Sequence, residues 1–224
     1  STDPLFEKHI QFTPYNYVLG NPMIMIDPDG RQINFTNYKN DDPGYEKNIK
    51  SILDDLNFLT GYLFQINDDN DLTIIGVNSG QKYSKTARER IEKYMKGIHF
   101  VHYSINGSKG EYEGDRNDVY LDPSEINSFI KNISSPKLEH AMGWGLSLFH
   151  ELEHNEQGKP DPKVFGSIGD IEEVCNTIRS ELDIPERLSY ISRTINGKSY
   201  IPFDALSKSR LGDWILPQGL YIFY

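Results

Sequence analysis

His150-Glu151-Leu152-Glu153-His154 is a pentapeptide of the form H-E-x-x-H, with two histidines four residues apart. On a helix, residues at this spacing lie one above the other on the same face, so both imidazoles can bind one metal ion. The glutamate beside the first histidine is placed to take a proton from zinc-bound water. The pattern therefore predicts a catalytic zinc site, with His150 and His154 as ligands and Glu151 as the general base.

The flanking sequence predicts a helix of about two dozen residues around the pentapeptide. Ser135-Pro136 offers an N-cap followed by a proline at the first helical position, and Gly158-Lys159-Pro160 offers a glycine stop. Between them runs a broad apolar stripe for the core: Ala141, Met142, Gly145, Leu148, Phe149 and Leu152. Glu153 occupies an inner position that is usually uncharged in this motif, and we expect its side chain to be solvated.

Length and composition indicate a folded chain that does not span a membrane and for which nucleic acid is a disfavoured partner. The 224 residues are 37% hydrophobic, and the net charge of −10 argues against a phosphate-binding surface. We expect no membrane span, since no long apolar run exists, and no signal peptide at the N-terminus. Cys175 is the single cysteine, which excludes an internal disulfide and a multi-cysteine zinc site. Histidines and carboxylates must therefore hold the metal.

The order of the predicted elements is that of an α+β fold with a small sheet. Apolar periodicity and turn residues predict strands at 31–36, 62–66, 72–77, 98–105 and 119–121, and helices at 44–59, 84–96 and 124–132. The helix that carries the two histidines follows them.

A catalytic zinc has three protein ligands and one open position, so a third ligand must come from elsewhere. The segment Gly169–Asn176 opens a predicted helix, on which Asp170 as N-cap and Glu173 three residues later form a capping-box pattern. This leaves Glu172 on a polar face as the predicted third ligand, with Glu173 and Asp170 as alternatives. The competing interpretation is that these glutamates only stabilise the helix N-terminus through its dipole.

Residues 176–190 read Asn-Thr-Ile-Arg-Ser-Glu-Leu-Asp-Ile-Pro-Glu-Arg-Leu-Ser-Tyr. With the H-E-x-x-H pentapeptide, this stretch resembles a family of type III secretion effector metallopeptidases, whose pattern is N-x-x-R-x-E-L-G-[LI]-P-x-R-x-x-Y. Asp183 stands in place of the usual Gly, and Cys175 in place of a Glu often found before the Asn. The resemblance implies a zincin-like metallopeptidase with Zn²⁺ as cofactor and a protein as substrate.

Arg187 and Tyr190 end this stretch and have two interpretations. A cation and a phenol near the metal can stabilise the oxyanion that forms when water adds to a peptide carbonyl. Clostridial neurotoxin proteases have a similar Arg-x-x-Tyr arrangement. The alternative is a structural arginine that binds the C-terminal end of the helix, with Tyr190 packed beneath it.

The first thirty residues differ in texture from the rest of the chain. Tyr15-Asn16-Tyr17-Val18-Leu19-Gly20-Asn21-Pro22 and the later Asp27-Pro28-Asp29-Gly30 resemble the end of the core of Rhs (YD-repeat) proteins. The resemblance implies two parts, an Rhs core end at 1–30 and a toxin domain at 31–224. It further implies delivery into a target cell by a secretion system as part of a larger protein, and a cognate immunity protein as partner.

Two other functions remain open at this point. Rhs-like carriers hold many unrelated toxins, so the domain can also be a non-protease toxin tip, such as a nuclease. The third possibility is a non-catalytic interaction module in which the histidines are structural.

Overall fold

The computed structural model describes residues 32–104, 117–135, 138–195, 198–204 and 220–223. In that part of the chain the helices are α1 (Thr36–Asp41), α2 (Tyr45–Thr60), α3 (Lys85–Tyr94), α4 (Pro123–Lys131), α5 (Trp144–Gln157) and α6 (Gly169–Glu181). The strands are β1 (Ile33–Asn34), β2 (Tyr62–Ile66), β3 (Leu72–Val77), β4 (His99–Tyr103), β5 (Asp118–Leu121), β6 (Arg193–Ile195), β7 (Lys198–Phe203) and β8 (Leu220–Phe223). The Rhs-like segment predicted at 1–30 lies outside the described residues.

The strands form three small sheets, so the architecture is mixed α/β. β1, β4 and β5 are parallel, in the order β1-β4-β5. β2 and β3 form an antiparallel hairpin, and β6, β7 and β8 form an antiparallel sheet. A mixed architecture of helices and small sheets is confirmed. The division of the strands into three sheets was not predicted, and neither were the strands after residue 190.

Helix α2 shows how local sequence produces the elements. Ile49, Ile52, Leu56 and Leu59 are buried at spacings of three and four residues, so they form the single apolar face of an amphipathic helix. Gly61 ends the helix in the left-handed conformation at φ 65°, where a residue without a Cβ avoids strain. The chain then enters the β2–β3 hairpin, whose inward side chains join the same core.

Helix α5 packs closely against α2, and this contact places the site in the fold. A Cβ added to Gly145 would lie 2.9 Å from the Cβ of Asp55 and 2.8 Å from Cδ1 of Leu59, so the two helices approach within a distance that only glycine permits. Buried residues of α5 such as Leu148 and Phe149 belong to the same core cluster as those of α2 and α6. Among the described residues, no helix has the length and apolar character needed to cross a bilayer.

Candidate metal centre

Helix α5 begins at Trp144, and the start predicted at Ser135-Pro136 is wrong. The described residues just before it form turns, and Gly143 has an extended backbone. The acceptor for the N-terminal backbone N–H groups comes from α2, because Asp55 Oδ2 accepts a hydrogen bond from Gly145 N–H at 3.0 Å. A cap supplied by another helix leaves no local signal in the sequence.

The C-terminal end of α5 lies where the sequence predicts it. Gly158 follows Gln157 in the left-handed conformation at φ 63°, and its N–H donates to the carbonyl oxygen of His154 at 2.8 Å. This turn sends the chain back along the C-terminal half of α5, which carries both histidines.

The structure brings the two histidines together as their spacing predicts. Nε2 of His150 and Nε2 of His154 are 3.1 Å apart, and the ring planes are nearly perpendicular. His150 is buried and His154 is partly buried. One ligand atom from each histidine and a carboxylate oxygen of Glu151 lie within 4.8 Å of one another. Two imidazoles that could bind one metal ion, with a carboxylate beside them, therefore lie close together on α5.

Asp161 completes this cluster, although the sequence did not single it out. Its Oδ1 lies 3.2 Å from Nε2 of His150 and 3.2 Å from Nε2 of His154. This oxygen is buried, and no group of the described residues forms an aligned hydrogen bond with it. The only signal in the sequence is an aspartate between two prolines, Pro160 and Pro162, just after the glycine that ends the helix.

The other nitrogen of His154 determines its tautomer. Nδ1 lies 2.7 Å from the carbonyl oxygen of Lys159, which can only accept a hydrogen bond. The proton of a neutral His154 ring is therefore on Nδ1, and the lone pair of Nε2 faces His150 and Asp161.

Glu172 is buried at 2% exposure on α6 and lies on the other side of the His150 ring. Its Oε2 is 3.3 Å from Nδ1 of His150. Asp161 and His154, by contrast, meet His150 at its other ring nitrogen, Nε2. Arg179 Nη1 pairs with Oε1, and Arg187 Nη1 lies 3.2 Å from Oε2. The structure thus brings Glu172 to His150 but pairs its carboxylate with two guanidinium groups.

Cys175 belongs to a second group of candidate ligand atoms. One atom each from His150, Glu172 and Cys175 lie within 4.8 Å of one another, and all three residues are buried. Burial raises the pKa of the Cys175 thiol, and the carboxylate of Glu172 raises it further. A protonated thiol is a poor metal ligand, since the thiolate is the form that binds.

Asn176 connects the residues of the stretch that resembles the effector metallopeptidases. Its Oδ1 accepts hydrogen bonds from Arg179 Nη1 at 2.7 Å and from the Arg187 N–H at 2.8 Å. Its Nδ2 donates to the Arg187 carbonyl oxygen at 2.8 Å. The asparagine and both arginines therefore form one buried network that holds Glu172.

Arg187 and Tyr190 both line the site, in different ways. Nε of Arg187 donates to the Ser189 carbonyl oxygen at 3.0 Å, and its guanidinium also pairs with Glu172 and lies 4.5 Å above the Tyr190 ring. The Tyr190 ring stacks on His150 with centroids 5.4 Å apart, and its hydroxyl interacts with the Asp161 carboxylate. Arg187 thus contacts several protein acceptors, while Tyr190 lies directly beside the histidine pair.

The charges of the site oppose the effect of burial. Burial raises the pKa of Asp161, but the two histidines and the Tyr190 hydroxyl pull that pKa far below its usual range. Burial also raises the pKa of Glu172, and again its cationic neighbours lower that pKa well below the ordinary value. Burial alone lowers the pKa of His150, but contacts with Asp161, Cys175 and Glu172 raise it above normal. Both carboxylates are therefore ionised at neutral pH.

The two alternative ligands are exposed to solvent. Helix α6 begins after Ile168, so Asp170 lies inside its first turn and the predicted N-cap is wrong. The Asp170 side chain is 56% exposed and pairs with Lys159. Glu173 is exposed as well.

Glu153 differs from the expectation of a solvated side chain. Its relative exposure is 0%, and its carboxylate accepts hydrogen bonds from the Tyr94 hydroxyl and, at 2.7 Å, from Gln157 Nε2. Arg90 Nη1 lies 3.3 Å away. The expectation was wrong because α3 supplies polar partners at the inner face of α5.

A cavity of about 410 Å³ opens onto His150, the first histidine of the pair. Its polar wall includes His150, Glu151, Asp161 and Tyr190. Its apolar wall consists of Leu121, Ile126, Phe129, Met142, Leu146 and Ile201. The volume is within the range of small-molecule and cofactor sites, so the cavity can admit part of a peptide chain.

Comparison with protein-family models, with curated proteins and with solved structures gives no match. The function is therefore inferred from the chemistry of this site.

Proposed function

We propose that the chain is a zinc-dependent endopeptidase with a zincin-like H-E-x-x-H helix. One observation carries the proposal: Nε2 of His150 and Nε2 of His154 are 3.1 Å apart, beside a cavity that His150 and Glu151 line. A tetrahedral zinc with bonds of about 2.0–2.1 Å holds its ligand atoms about 3.3–3.4 Å apart, so the separation fits two ligands of one ion. Among the other divalent metals, magnesium and calcium prefer oxygen ligands, which a histidine pair does not provide.

The polar atoms around the pair also fit a cation. The buried Oδ1 of Asp161 has no aligned hydrogen-bond partner among the described residues, and such an atom is costly unless an ion or water meets it. Zinc at this place would supply Lewis-acid polarisation of a carbonyl and would acidify water.

Glu151 is the proposed general base. It lies beside the first histidine, and its carboxylate lines the cavity that would hold the peptide. Glu151 takes the proton from the attacking water as the new carbon–oxygen bond forms, and then delivers that proton to the leaving amine as the carbon–nitrogen bond breaks. General acid–base catalysis of this type contributes about 10²–10⁴-fold to a rate.

Of the two candidate stabilisers of the oxyanion, we propose Tyr190 for this role and Arg187 for holding the groups around it. The Tyr190 hydroxyl is the better placed of the two, since its ring stacks on His150 and the hydroxyl reaches Asp161. The donors of Arg187 already contact Glu172 and backbone carbonyl oxygens, so its contribution is to hold these groups in position.

The biological setting rests on the Rhs-like residues at the start of the chain. We propose that residues 31–224 act as a toxin domain delivered into a target cell, where the substrate is a protein, and that an immunity protein protects the producer. The net charge of −10 supports a protein substrate over a nucleic acid.

The test compares the wild-type chain with Glu151→Gln, which keeps the shape of the side chain but removes the base. We expect both proteins to bind one equivalent of zinc, and only the wild type to generate new protein N-termini in a target-cell lysate. Cleavage by Glu151→Gln should fall by about 10²–10⁴-fold. Equal cleavage by the two proteins, or no zinc in the wild type, would overturn the proposal.

A further inference from the structure

We infer that Asp161 is the third ligand of the metal, and that Glu172 orients the His150 ring through its Nδ1 atom. This inference rests on the proposed function, because it concerns the same zinc site. It replaces Glu172, the ligand that the sequence suggested, with a loop residue that the sequence did not suggest.

The first support is the triangle formed by three candidate ligand atoms. Nε2 of His150, Nε2 of His154 and Oδ1 of Asp161 are separated by 3.1, 3.2 and 3.2 Å. Three corners of a zinc tetrahedron are about 3.3–3.4 Å apart, so a shift of only a few tenths of an ångström separates this triangle from an ideal site. The two nitrogens and the oxygen are also a usual ligand set for zinc.

The second support is the environment of one carboxylate oxygen of Asp161, whose other contacts include the Tyr190 hydroxyl. Its buried Oδ1 lies against two imidazoles without an aligned hydrogen bond from the described residues. An unsatisfied buried oxygen costs about 1–3 kcal/mol. A cation between the three atoms removes this cost.

The third support is the way in which Glu172 is bound. Arg179 and Arg187 pair with its two carboxylate oxygens, and the remaining contact is with Nδ1 of His150. A histidine that binds a metal through Nε2 commonly donates its Nδ1 proton to a carboxylate, which fixes the ring orientation. Glu172 Oε2 lies 3.3 Å from this nitrogen, close enough to accept its proton after a small rotation of the ring, although the two groups are not aligned as a hydrogen bond in the structure. We therefore assign Glu172 as a positioning residue.

The loop that carries Asp161 is held in place from both ends. Gly158 makes the turn out of α5, and prolines on either side of Asp161 restrict the backbone. Farther along, Gly166 N–H donates to the Ser189 hydroxyl at 2.9 Å, and Tyr190 N–H donates to the Ser167 carbonyl oxygen at 2.9 Å. The carboxylate is therefore preorganised, which favours tight metal binding.

The experiment measures zinc affinity by competition with a chromophoric chelator in the wild type, Asp161→Ala and Glu172→Gln. We expect Asp161→Ala to lose more than about 100-fold in affinity, whereas Glu172→Gln should lose about 10–100-fold, as is usual for residues behind a ligand. The control is Asp170→Ala, an exposed aspartate near the same loop, which should bind as the wild type does.

Cobalt substitution gives a second measurement that is independent of activity. The wild type and Glu172→Gln should share the intense visible absorption of a four-coordinate Co²⁺ site, and Asp161→Ala should lose it. Circular dichroism of the metal-free proteins shows whether each variant is folded. If Glu172→Gln does not fold, Asp161→Ala and Asp170→Ala alone still test the inference.

The outcomes separate this inference from the proposed function. Wild-type affinity and an unchanged cobalt spectrum in Asp161→Ala would overturn the ligand assignment while leaving a zinc enzyme. A wild-type protein that binds no zinc would overturn the proposed function itself.

Discussion

Replacing Glu153 by alanine should lower the free energy of unfolding by about 2–4 kcal/mol. The carboxylate is fully buried between Tyr94, Gln157 and Arg90. The largest loss comes from the buried Tyr94 hydroxyl, since a polar group left without a partner costs about 1–3 kcal/mol. The Arg90 side chain is 33% exposed and can turn to water, so its contribution is below about 1 kcal/mol. The one methylene group removed adds about 0.8 kcal/mol.

The assay is urea unfolding at neutral pH in the presence of a chelator, because bound zinc would add its own binding energy to the stability. Circular dichroism follows the helices, and tryptophan fluorescence, to which Trp144 buried on α5 contributes together with Trp214, follows the tertiary packing. Glu89→Ala is the matched control on a helix, since the Glu89 side chain is 66% exposed and its ion pair with Lys85 spans 3.6 Å. That variant should stay within about 0.5 kcal/mol of the wild type.

Both variants make the same change of residue type within a helix, so differences in helix propensity cancel between them. A Glu153→Ala protein that is within about 1 kcal/mol of Glu89→Ala would refute the reasoning. The buried contacts of the Glu153 carboxylate would then contribute little to the free energy of unfolding.

Two further predictions concern Tyr190 and His140. In zinc-saturated protein, Tyr190→Phe should keep the ring on His150 but lower kcat by about 10²-fold with little change in KM, because one oxyanion donor is lost; an unchanged kcat would limit the hydroxyl to orienting Asp161. His140 lies 3.2 Å from Asp55, and this contact raises the pKa of His140 above its usual value. The resulting stabilisation is present below about pH 6.5 and is lost as the pH rises through the folded-state pKa. Urea unfolding of the wild type and His140→Gln should therefore differ more at pH 6 than at pH 8.5, and a gap that is independent of pH would contradict this.

The regular elements were largely predictable because their signals are local. The helix expected at 44–59 is α2, Tyr45–Thr60, and the strands expected at 62–66 and 72–77 are β2 and β3. Apolar periodicity and glycine stops act within one or two turns of the chain, so they can be recognised without knowing which elements pack against the segment. The start of α5 was missed because its cap, Asp55, lies ninety residues earlier in the chain.

The same reasoning explains the errors at the site. Glu153 was expected to be solvated, yet α3 covers it with Tyr94 and Arg90. Asp161 has no periodicity and no motif of its own, so nothing local distinguishes it from an ordinary loop aspartate. Glu172 was predicted as the third ligand, and the structure places it beside His150. The two arginines that pair with its carboxylate come together only when residues 176–187 fold back on α6.

The sequence by itself determined the shared helical face of His150 and His154, with Glu151 beside them, because a spacing of four residues has one geometric outcome on a helix. Tertiary structure alone decided which carboxylate lies against the Nε2 atoms of these two histidines. That choice depends on a left-handed turn at Gly158, on the packing of Tyr190 against His150, and on arginines that hold Glu172 at the opposite nitrogen. Contacts between segments distant in the chain leave no periodic signal in the sequence. Only folding brings the side chains of these segments into one cluster.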